Sequence, residues 1–258
     1  MKPSHTIEIA LADDHTMIRS GIKALIEFNP DYKVVMEADH GMDLVTQLME
    51  RDTLPDLCFI DLNMNPLNGY ETQLAIKKKW PQLRTIILSM YDNEVLVSKL
   101  LEAGANSFLS KNLTTKVLHE AIEQVTKKGY YNTSVIDNIR KQKENKTYIH
   151  INNKELQFLC LCYKDLGYKE VAQVMQVEPR TVENYRDSLY GKLKINTRAG
   201  LAAFAHTTGL VDLTTDTLRE SGLMEEQHNN TDNNKHTEPN PDSDVPAKDH
   251  TYLTDCDI

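Results

Sequence analysis

The first half of the chain alternates short apolar runs with longer stretches in which apolar residues recur every three or four positions. Short apolar runs bounded by polar turns are typical of buried strands, and the longer period is typical of amphipathic helices. The predicted strands are Ile7–Ala12, Lys33–Ala38, Asp56–Ile60, Arg84–Ser89 and Ser107–Leu109. The predicted helices lie between them, near Thr16–Phe28, Met42–Glu50, Asn68–Lys78, Asn93–Ala103 and Thr114–Thr126.

This alternation determines the expected fold class of the first domain. Strands that alternate with helices of this length favour a parallel sheet covered on both faces. Five such units fit an open, doubly wound sheet and are too few for an eight-stranded barrel. We therefore predict an α/β domain over residues 5–128, built on a five-stranded parallel sheet.

The pattern changes after Gly129. Residues 129–149 contain a polar, charged stretch and are predicted to form a linker. Residues 150–210 show three or four short helical patterns, which predict a small all-α domain. Residues 211–258 are rich in Asn, Asp, Thr, Pro and His and have few large apolar side chains. Such a segment buries too little surface to offset its chain entropy, so we predict a disordered acidic tail.

Charge is distributed unevenly over these segments. The whole chain of 258 residues has a net charge of −9, but residues 140–210 hold 12 Lys and Arg against 7 Asp and Glu. Residues 211–258 hold only 3 Lys and Arg against 12 Asp and Glu. Only the middle segment is basic, and it alone would be attracted to a polyanion such as DNA.

The sequence favours a cytoplasmic protein without a membrane partner. It has no run of about 18 apolar residues, and its N-terminus lacks the apolar core of a signal peptide. The four cysteines, Cys58, Cys160, Cys162 and Cys256, do not have the spacing of metal ligands. We predict that they are reduced thiols.

Charged and polar residues stand at the carboxyl ends of four predicted strands, where open α/β sheets carry their chemistry. The residues concerned are Asp13 and Asp14, Asp61, Ser89 and Lys111. Three adjacent carboxylates would destabilise one another unless a cation neutralises them. Oxygen ligands without His or Cys indicate Mg²⁺ rather than Zn²⁺. A carboxylate beside Mg²⁺ and Lys111 is suited to attack a phosphoryl group and form an aspartyl phosphate.

Four separate motifs over residues 7–127 resemble the receiver domain of two-component response regulators, a flavodoxin-like fold. They are ADDH, DLNMNPLNG beginning at Asp61, ILSMYD containing Ser89, and GANSFLSK ending at Lys111. The resemblance implies that Asp61 accepts a phosphoryl group from a histidine kinase or phosphotransfer protein.

The same resemblance implies the other residues of the site. Asp14, Asp61 and the backbone carbonyl of Asn63 would bind Mg²⁺, with Asp13 acting through water. Ser89 and Lys111 would contact the phosphoryl oxygens. Phe108 matches the family's aromatic switch residue, which turns inward when Ser89 moves toward the phosphoryl group. Asn63 and Tyr91 are candidates for setting the lifetime of the phosphoryl group.

The middle segment has the spacing of a helix-turn-helix. Apolar residues at Val171, Ala172 and Met175, and then at Val182, Leu189 and Leu193, predict two short amphipathic helices at an angle. The stretch from Tyr168 to Ala205 resembles the LuxR-type DNA-binding domain, which places the chain in the NarL/FixJ class. That resemblance implies a recognition helix near Arg180–Lys192 and a dimer contact around Leu201–Phe204.

The DNA contacts are predicted mainly on the recognition helix. The candidates are Arg180, Thr181, Glu183, Asn184, Arg186, Lys192 and Lys194. The family often has a lysine and a histidine where this chain has Glu183 and Tyr185. A carboxylate in the groove opposes phosphate but accepts a hydrogen bond from cytosine.

The two resemblances together predict a transcription factor that binds double-stranded DNA as a homodimer when it is phosphorylated. Two alternatives remain. A phosphatase of the haloacid dehalogenase type also uses an Asp nucleophile and Mg²⁺, but Asn63 replaces its general acid, so we predict no enzyme. The other alternative is a phosphorylation-controlled interaction module whose helical domain binds a protein. A DNA binder should lose affinity steeply as salt rises, and such a module should not.

Overall fold

The computed structural model describes residues 6–213, apart from Asp165. Five parallel strands form one sheet in the order β2-β1-β3-β4-β5. They are β1 (Ile7–Ala12), β2 (Tyr32–Ala38), β3 (Leu57–Asp61), β4 (Arg84–Ser89) and β5 (Ser107–Ser110). The doubly wound α/β fold predicted from the alternating pattern is confirmed, and each strand bound lies within one residue of its prediction.

Helices cover both faces of the sheet. They are α1 (Thr16–Glu27), α2 (Gly41–Glu50), α3 (Gly69–Lys79), α4 (Glu94–Glu102) and α5 (Thr115–Lys128). Successive side chains of a strand point to opposite faces. Accordingly Leu11 and Phe59 pack in one apolar cluster with α1 and α5, while their neighbours Ala12 and Ile60 pack in another with α2, α3 and α4.

The segment 129–149, predicted to be a linker, contains a sixth helix, α6 (Ser134–Glu144). Its polar composition conceals a short apolar stripe, because Ile136 and Ile139 are three residues apart and both are buried. The Thr133 side chain accepts a hydrogen bond from the Ile136 N–H and begins the helix. Packing of this stripe next to α4 outweighs the polar composition.

Residues beyond 150 form the predicted all-α unit. It contains α7 (Asn153–Leu161), α8 (Tyr168–Met175), α9 (Pro179–Leu193), α10 (Arg198–Thr207) and a 3-10 helix (Leu210–Leu213). Pro179 occupies the first turn of α9, as expected from its fixed φ. Of the apolar positions that predicted the helix-turn-helix, all are buried except Leu193, which is half-buried. The acidic tail was predicted to begin at residue 211, but residues 211–213 belong to the 3-10 helix and Leu213 is buried. The rest of the predicted tail, from position 214 onward, lies outside the described residues.

The apolar cluster on the α2-α3-α4 face of the sheet continues into the helical unit. It includes Leu96 of α4, Ile139 of α6 and Leu159 of α7. No helix among the described residues is long and apolar enough to span a membrane. Cys58, Cys160 and Cys162 are buried and form no disulfide with one another.

Candidate phosphoacceptor site and nucleic-acid interface

Three strand ends bring Asp13, Asp61 and Lys111 together at one edge of the sheet. The Lys111 Nζ lies 2.8 Å from Asp13 Oδ2 and 2.9 Å from Asp61 Oδ1. The Asp13 and Asp61 side chains are buried, and the Lys111 side chain is 9% exposed. A backbone hydrogen bond positions Lys111 directly after β5, since its N–H donates to the Ser89 carbonyl at 2.8 Å. The residues that the sequence predicted at separate strand ends therefore meet in one pocket.

Burial and charge act in opposite directions on this pocket. Burial raises the pKa of Asp61 to about 6, although the hydrogen bond and the charge of Lys111 lower it. Burial also disfavours the charge on Lys111, but its bonds with Asp13 and Asp61 outweigh this effect, and the pKa of Lys111 lies above its usual value. Asp61 is therefore mostly ionised at neutral pH but loses its charge under mildly acidic conditions.

This pKa predicts that Asp61→Asn stabilises the metal-free protein at neutral pH. Because the native state holds the Asp61 proton up to a higher pH than the unfolded state, stability falls as pH rises from about 4 to about 6. The ionised carboxylate then costs about 3 kcal/mol at pH 7. Urea unfolding at several pH values should give the variant a free energy of unfolding that is higher than that of wild type by about that amount at pH 7. Near pH 4 the two free energies should be equal. A pH-independent difference would contradict the assignment.

The pocket has the donor set of a hard cation. Single ligand atoms of Asp13, Asp14, His15 and Asp61 lie within 4.8 Å of one another. The second oxygen of Asp61, Oδ2, is buried and has no hydrogen-bond partner among the described residues. Carboxylate oxygens suit Mg²⁺, and an unpaired buried carboxylate oxygen is costly without a cation. These residues therefore fit the predicted Mg²⁺.

Two further observations concern the rim of this pocket. His15 was not among the predicted site residues, yet its Nδ1 lies 2.6 Å from Asp14 Oδ1. Its position directly after the two aspartates was the available signal. Asn63 is exposed, and its backbone N–H bonds to the Asp61 carboxylate. Its carbonyl as a metal ligand stays a prediction.

Arg19 of α1 holds the backbone in place at Asp13. Its guanidinium donates to the backbone carbonyl of Asp13 and lies 2.7 Å from Asp39 Oδ1. Gly69 fixes the other side, because a Cβ at that position would lie 2.2 Å from the Asp61 carbonyl oxygen. The first residue of α3 must therefore be glycine for the helix to pack against the end of β3.

The two predicted switch residues occupy different environments. Ser89 is buried, and its Oγ accepts a hydrogen bond of 3.0 Å from the Tyr91 N–H. Phe108 is only 1% exposed and lies in the larger apolar cluster. The aromatic ring is therefore buried in this conformation.

Helix α9 displays the predicted recognition surface. Arg180, Asn184 and Lys194 are exposed, whereas Thr181, Glu183 and Arg186 are half-buried. Arg180 Nη1 lies 3.1 Å from Glu183 Oε2, and Arg186 Nε lies 2.8 Å from Asp187 Oδ1. Neighbouring carboxylates therefore offset part of the positive charge that the sequence assigned to this helix.

Lys192 is placed differently from the other candidates. Its Nζ lies 2.6 Å from Glu155 Oε2, and Glu155 is buried at the start of α7. Ser188 also donates to Glu155. The pair joins α9 to α7, so Lys192 has a structural contact that the sequence pattern did not reveal.

Lys192→Met is therefore expected to destabilise the helical unit by about 1–2 kcal/mol, since it leaves a buried carboxylate short of its cation. Lys194→Met is the matched control, because Lys194 is exposed and ends the same helix. Thermal or urea unfolding measures both. Equal stability of the two variants would show that the Glu155 pair carries no net energy.

The residues of α10 that were predicted to form a dimer contact are not all accessible. Leu201 is fully buried in the core, whereas Ala203 is exposed and Phe204 is half-buried. A partner subunit that used this helix would contact the face containing Ala203, not Leu201.

Two family models match the chain. The model for the response regulator receiver domain matches residues 9–123. The model for bacterial regulatory proteins of the luxR family matches residues 151–205. Both families inferred from the motifs are thereby confirmed.

Similar proteins combine the same two domains. The response regulator protein VraR of Staphylococcus aureus (strain NCTC 8325 / PS 47) is 27% identical over 206 residues, which are 78% of this chain and 98% of that protein. RcsB from Salmonella enterica serovar Typhimurium, solved bound to promoter rprA in the presence of phosphomimetic BeF3−, is 22% identical with a TM-score of 0.60. The match covers 77% of this chain and 98% of RcsB, and at this identity it shows the shared fold.

A LuxR-family two-component response regulator from Aurantimonas sp. SI85-9A1 is 29% identical, with a TM-score of 0.50 over 54% of this chain and 99% of that chain. The order of domains, the acidic pocket at the strand ends and the helix-turn-helix all agree with these matches. The chain belongs to the response regulators of two-component systems, with an N-terminal receiver domain and a C-terminal LuxR-type DNA-binding domain that serves transcription regulation.

Proposed function

We propose that Asp61 accepts a phosphoryl group from the phosphohistidine of a sensor histidine kinase or phosphotransfer protein. This proposal rests on the different environments of the two Asp61 carboxylate oxygens. Lys111 contacts Oδ1, while the buried Oδ2 has no hydrogen-bond partner among the described residues. Oδ2 attacks phosphorus as the bond from phosphorus to the donor imidazole nitrogen breaks, and that ring leaves with a proton from solvent. Lys111 and Ser89 contact the phosphoryl oxygens.

Asp13, Asp14, Asp61 and the Asn63 carbonyl would hold Mg²⁺, with Asp13 acting through water. When bound, the cation neutralises charge on the phosphoryl oxygens. Lys111 supplies the second positive charge, and the bonds that keep it protonated also keep it aimed at Asp61.

Phosphorylation is coupled to the DNA-binding domain through the segment that follows Ser89. Gly209, just beyond α10, has a φ of +72°, and a Cβ on it would lie 2.4 Å from the Tyr91 ring. Tyr91 therefore contacts the helical domain with its ring while its N–H bonds to Ser89. Because Phe108 is already buried, Tyr91 is the better candidate to transmit a movement of Ser89.

The mechanism we favour is release. When Ser89 turns toward the phosphoryl group, the Tyr91 N–H loses its acceptor, and the ring withdraws from Gly209. One residue of the recognition helix faces the receiver, since Tyr185 of α9 lines a cleft of about 550 Å³ with Lys99 and Glu102 of α4. Opening this cleft frees the Tyr185 side of α9 from the receiver, so that the whole helix can enter the major groove.

The released domain binds double-stranded DNA as a homodimer. The RcsB structures, described as bound to promoter DNA with a phosphomimetic and as two dimers bound to two parallel DNAs, support this proposal. A DNA-binding regulator of bacterial type acts where the chromosome lies, so we place the protein in the cytoplasm.

Incubation of the purified chain with acetyl phosphate tests the proposal. We expect acid-labile phosphate to be incorporated in the presence of Mg²⁺ and lost when a chelator is added. The same treatment should raise the affinity for duplex DNA. Incorporation that is independent of divalent cations, or no change in DNA affinity after stoichiometric incorporation, would contradict the proposal.

A further inference from the structure

One aromatic side chain in the helical domain contacts two arginines from different helices. The Tyr168 ring, at the start of α8, has the Arg186 guanidinium 5.5 Å from its centroid and the Arg198 guanidinium 5.4 Å from it. Arg186 belongs to α9 and Arg198 to α10. Arg198 was not among the predicted DNA contacts.

Cation–π contact accounts for the arrangement of these arginines. A guanidinium stacks well on an aromatic face, and the contact restrains a long side chain that would otherwise be mobile. Each arginine has further anchors. Arg186 Nε lies 2.8 Å from Asp187 Oδ1, and its side chain also hydrogen-bonds Tyr168. Arg198 Nη2 donates to the Lys164 carbonyl at 3.2 Å, and its side chain also hydrogen-bonds Cys162. These bonds use a minority of the five N–H donors of each guanidinium.

Two like charges held against one ring repel each other, and this cost is offset when an anion lies across them. Asn184 and Asp187 of α9 are exposed, and Arg186 between them in sequence is half-buried. Because Arg180, Arg186 and Lys192 are all paired with carboxylates, α9 alone offers little free positive charge. A second arginine beside the helix would supply the missing attraction for the DNA backbone.

We propose that Arg186 and Arg198 form a backbone-phosphate clamp next to the recognition helix, and that Tyr168 is its positioning residue. The inference rests on the proposed DNA binding and adds to it a specific partner, the phosphodiester backbone. Phosphate contacts set the register of a protein on DNA and do not read the sequence. The clamp therefore contributes affinity to any duplex.

The experiment uses the full chain with Mg²⁺ and beryllofluoride and a fluorescent duplex of mixed sequence. Dissociation constants are measured between about 50 and 200 mM salt, where each lost phosphate contact lowers the slope of log affinity against log salt by about 0.9. Arg198→Met is expected to lower the slope by about that amount and to weaken binding about 5-fold at low salt. Tyr168→Leu is expected to weaken binding and lower the slope, because both guanidinium groups lose their support.

Two companion variants separate positioning from folding. Tyr168→Phe keeps the ring and loses only the hydroxyl that also hydrogen-bonds Arg186, so it should stay closer to the wild-type slope than Tyr168→Leu. Tyr163→Leu is the matched control, since Tyr163 is an exposed tyrosine of the same domain that stacks on His206 instead. A wild-type slope in both Arg198→Met and Tyr168→Leu would overturn the clamp while leaving DNA binding intact. Absence of any salt-dependent affinity in the wild-type chain would overturn the proposed function and the clamp together.

Discussion

Asp61→Asn is expected to abolish incorporation of acid-labile phosphate, whether the donor is acetyl phosphate or a histidine kinase. Asn keeps the size of the side chain but replaces the nucleophilic oxygen by an amide, which does not form the acyl phosphate. Lys111 also contacts Asp13, at 2.8 Å, and the substitution leaves that contact in place, so we expect the pocket to keep its fold. The loss is therefore chemical and does not depend on unfolding.

Asp52→Asn is the matched control for that experiment. Asp52 is exposed and lies between α2 and β3, ahead of the strand that ends in Asp61. The control should incorporate phosphate at the wild-type level. Full incorporation in Asp61→Asn, with phosphate mapped to another residue, would show that the acceptor is assigned wrongly.

Gly209→Ala is expected to raise the DNA affinity of the unphosphorylated chain by about 10- to 100-fold, the range of a typical coupling free energy. The new methyl group would lie 2.4 Å from the Tyr91 ring, well inside van der Waals contact, so one of the two must move. If the contact keeps the domains closed, its loss has the same consequence as phosphorylation. A phosphoryl mimic should then add little further affinity.

Gly129→Ala controls for backbone strain. Gly129 has a φ of +84°, close to that of Gly209, but a Cβ there would meet no atom within 4 Å. Both substitutions place alanine in the left-handed region, and only one of them reaches Tyr91. Tyr91→Ala removes the ring and keeps the N–H, and it should behave like Gly209→Ala. Wild-type affinity in both Gly209→Ala and Tyr91→Ala would show that this contact does not restrain the DNA-binding domain.

The sequence predicted the acidic pocket because strand ends are readable from hydrophobic pattern. Once Asp13, Asp61 and Lys111 are assigned to the ends of parallel strands, the topology of an open sheet brings them together. The local pairing of Lys111 with both carboxylates follows from that placement. Such information lies within short segments of the chain, which explains why it could be predicted.

The features that were not predicted depend on contacts between distant segments. Helix α6 lies in a polar stretch and is stabilised by packing next to α4. The local sequence pattern gives no information about this contact. In the sequence, Lys192 cannot be distinguished from a lysine of a recognition helix that contacts DNA. Its ion pair with Glu155, which is distant in sequence, is visible only in the structure. The approach of Tyr91 to Gly209 depends on how the helical domain packs against the receiver.

Selection from random duplex DNA with the full chain, with and without Mg²⁺ and beryllofluoride, tests the central claim most directly. The claim is that phosphorylation at Asp61 controls binding of the LuxR-type domain to specific DNA. It predicts enrichment of a two-fold related site that is stronger with the mimic. Substitution of Arg180, Glu183 and Arg186 would then assign the bases of each half-site. No enrichment in either condition, with the protein folded and the mimic bound, would contradict the account and favour a protein partner for the helical domain.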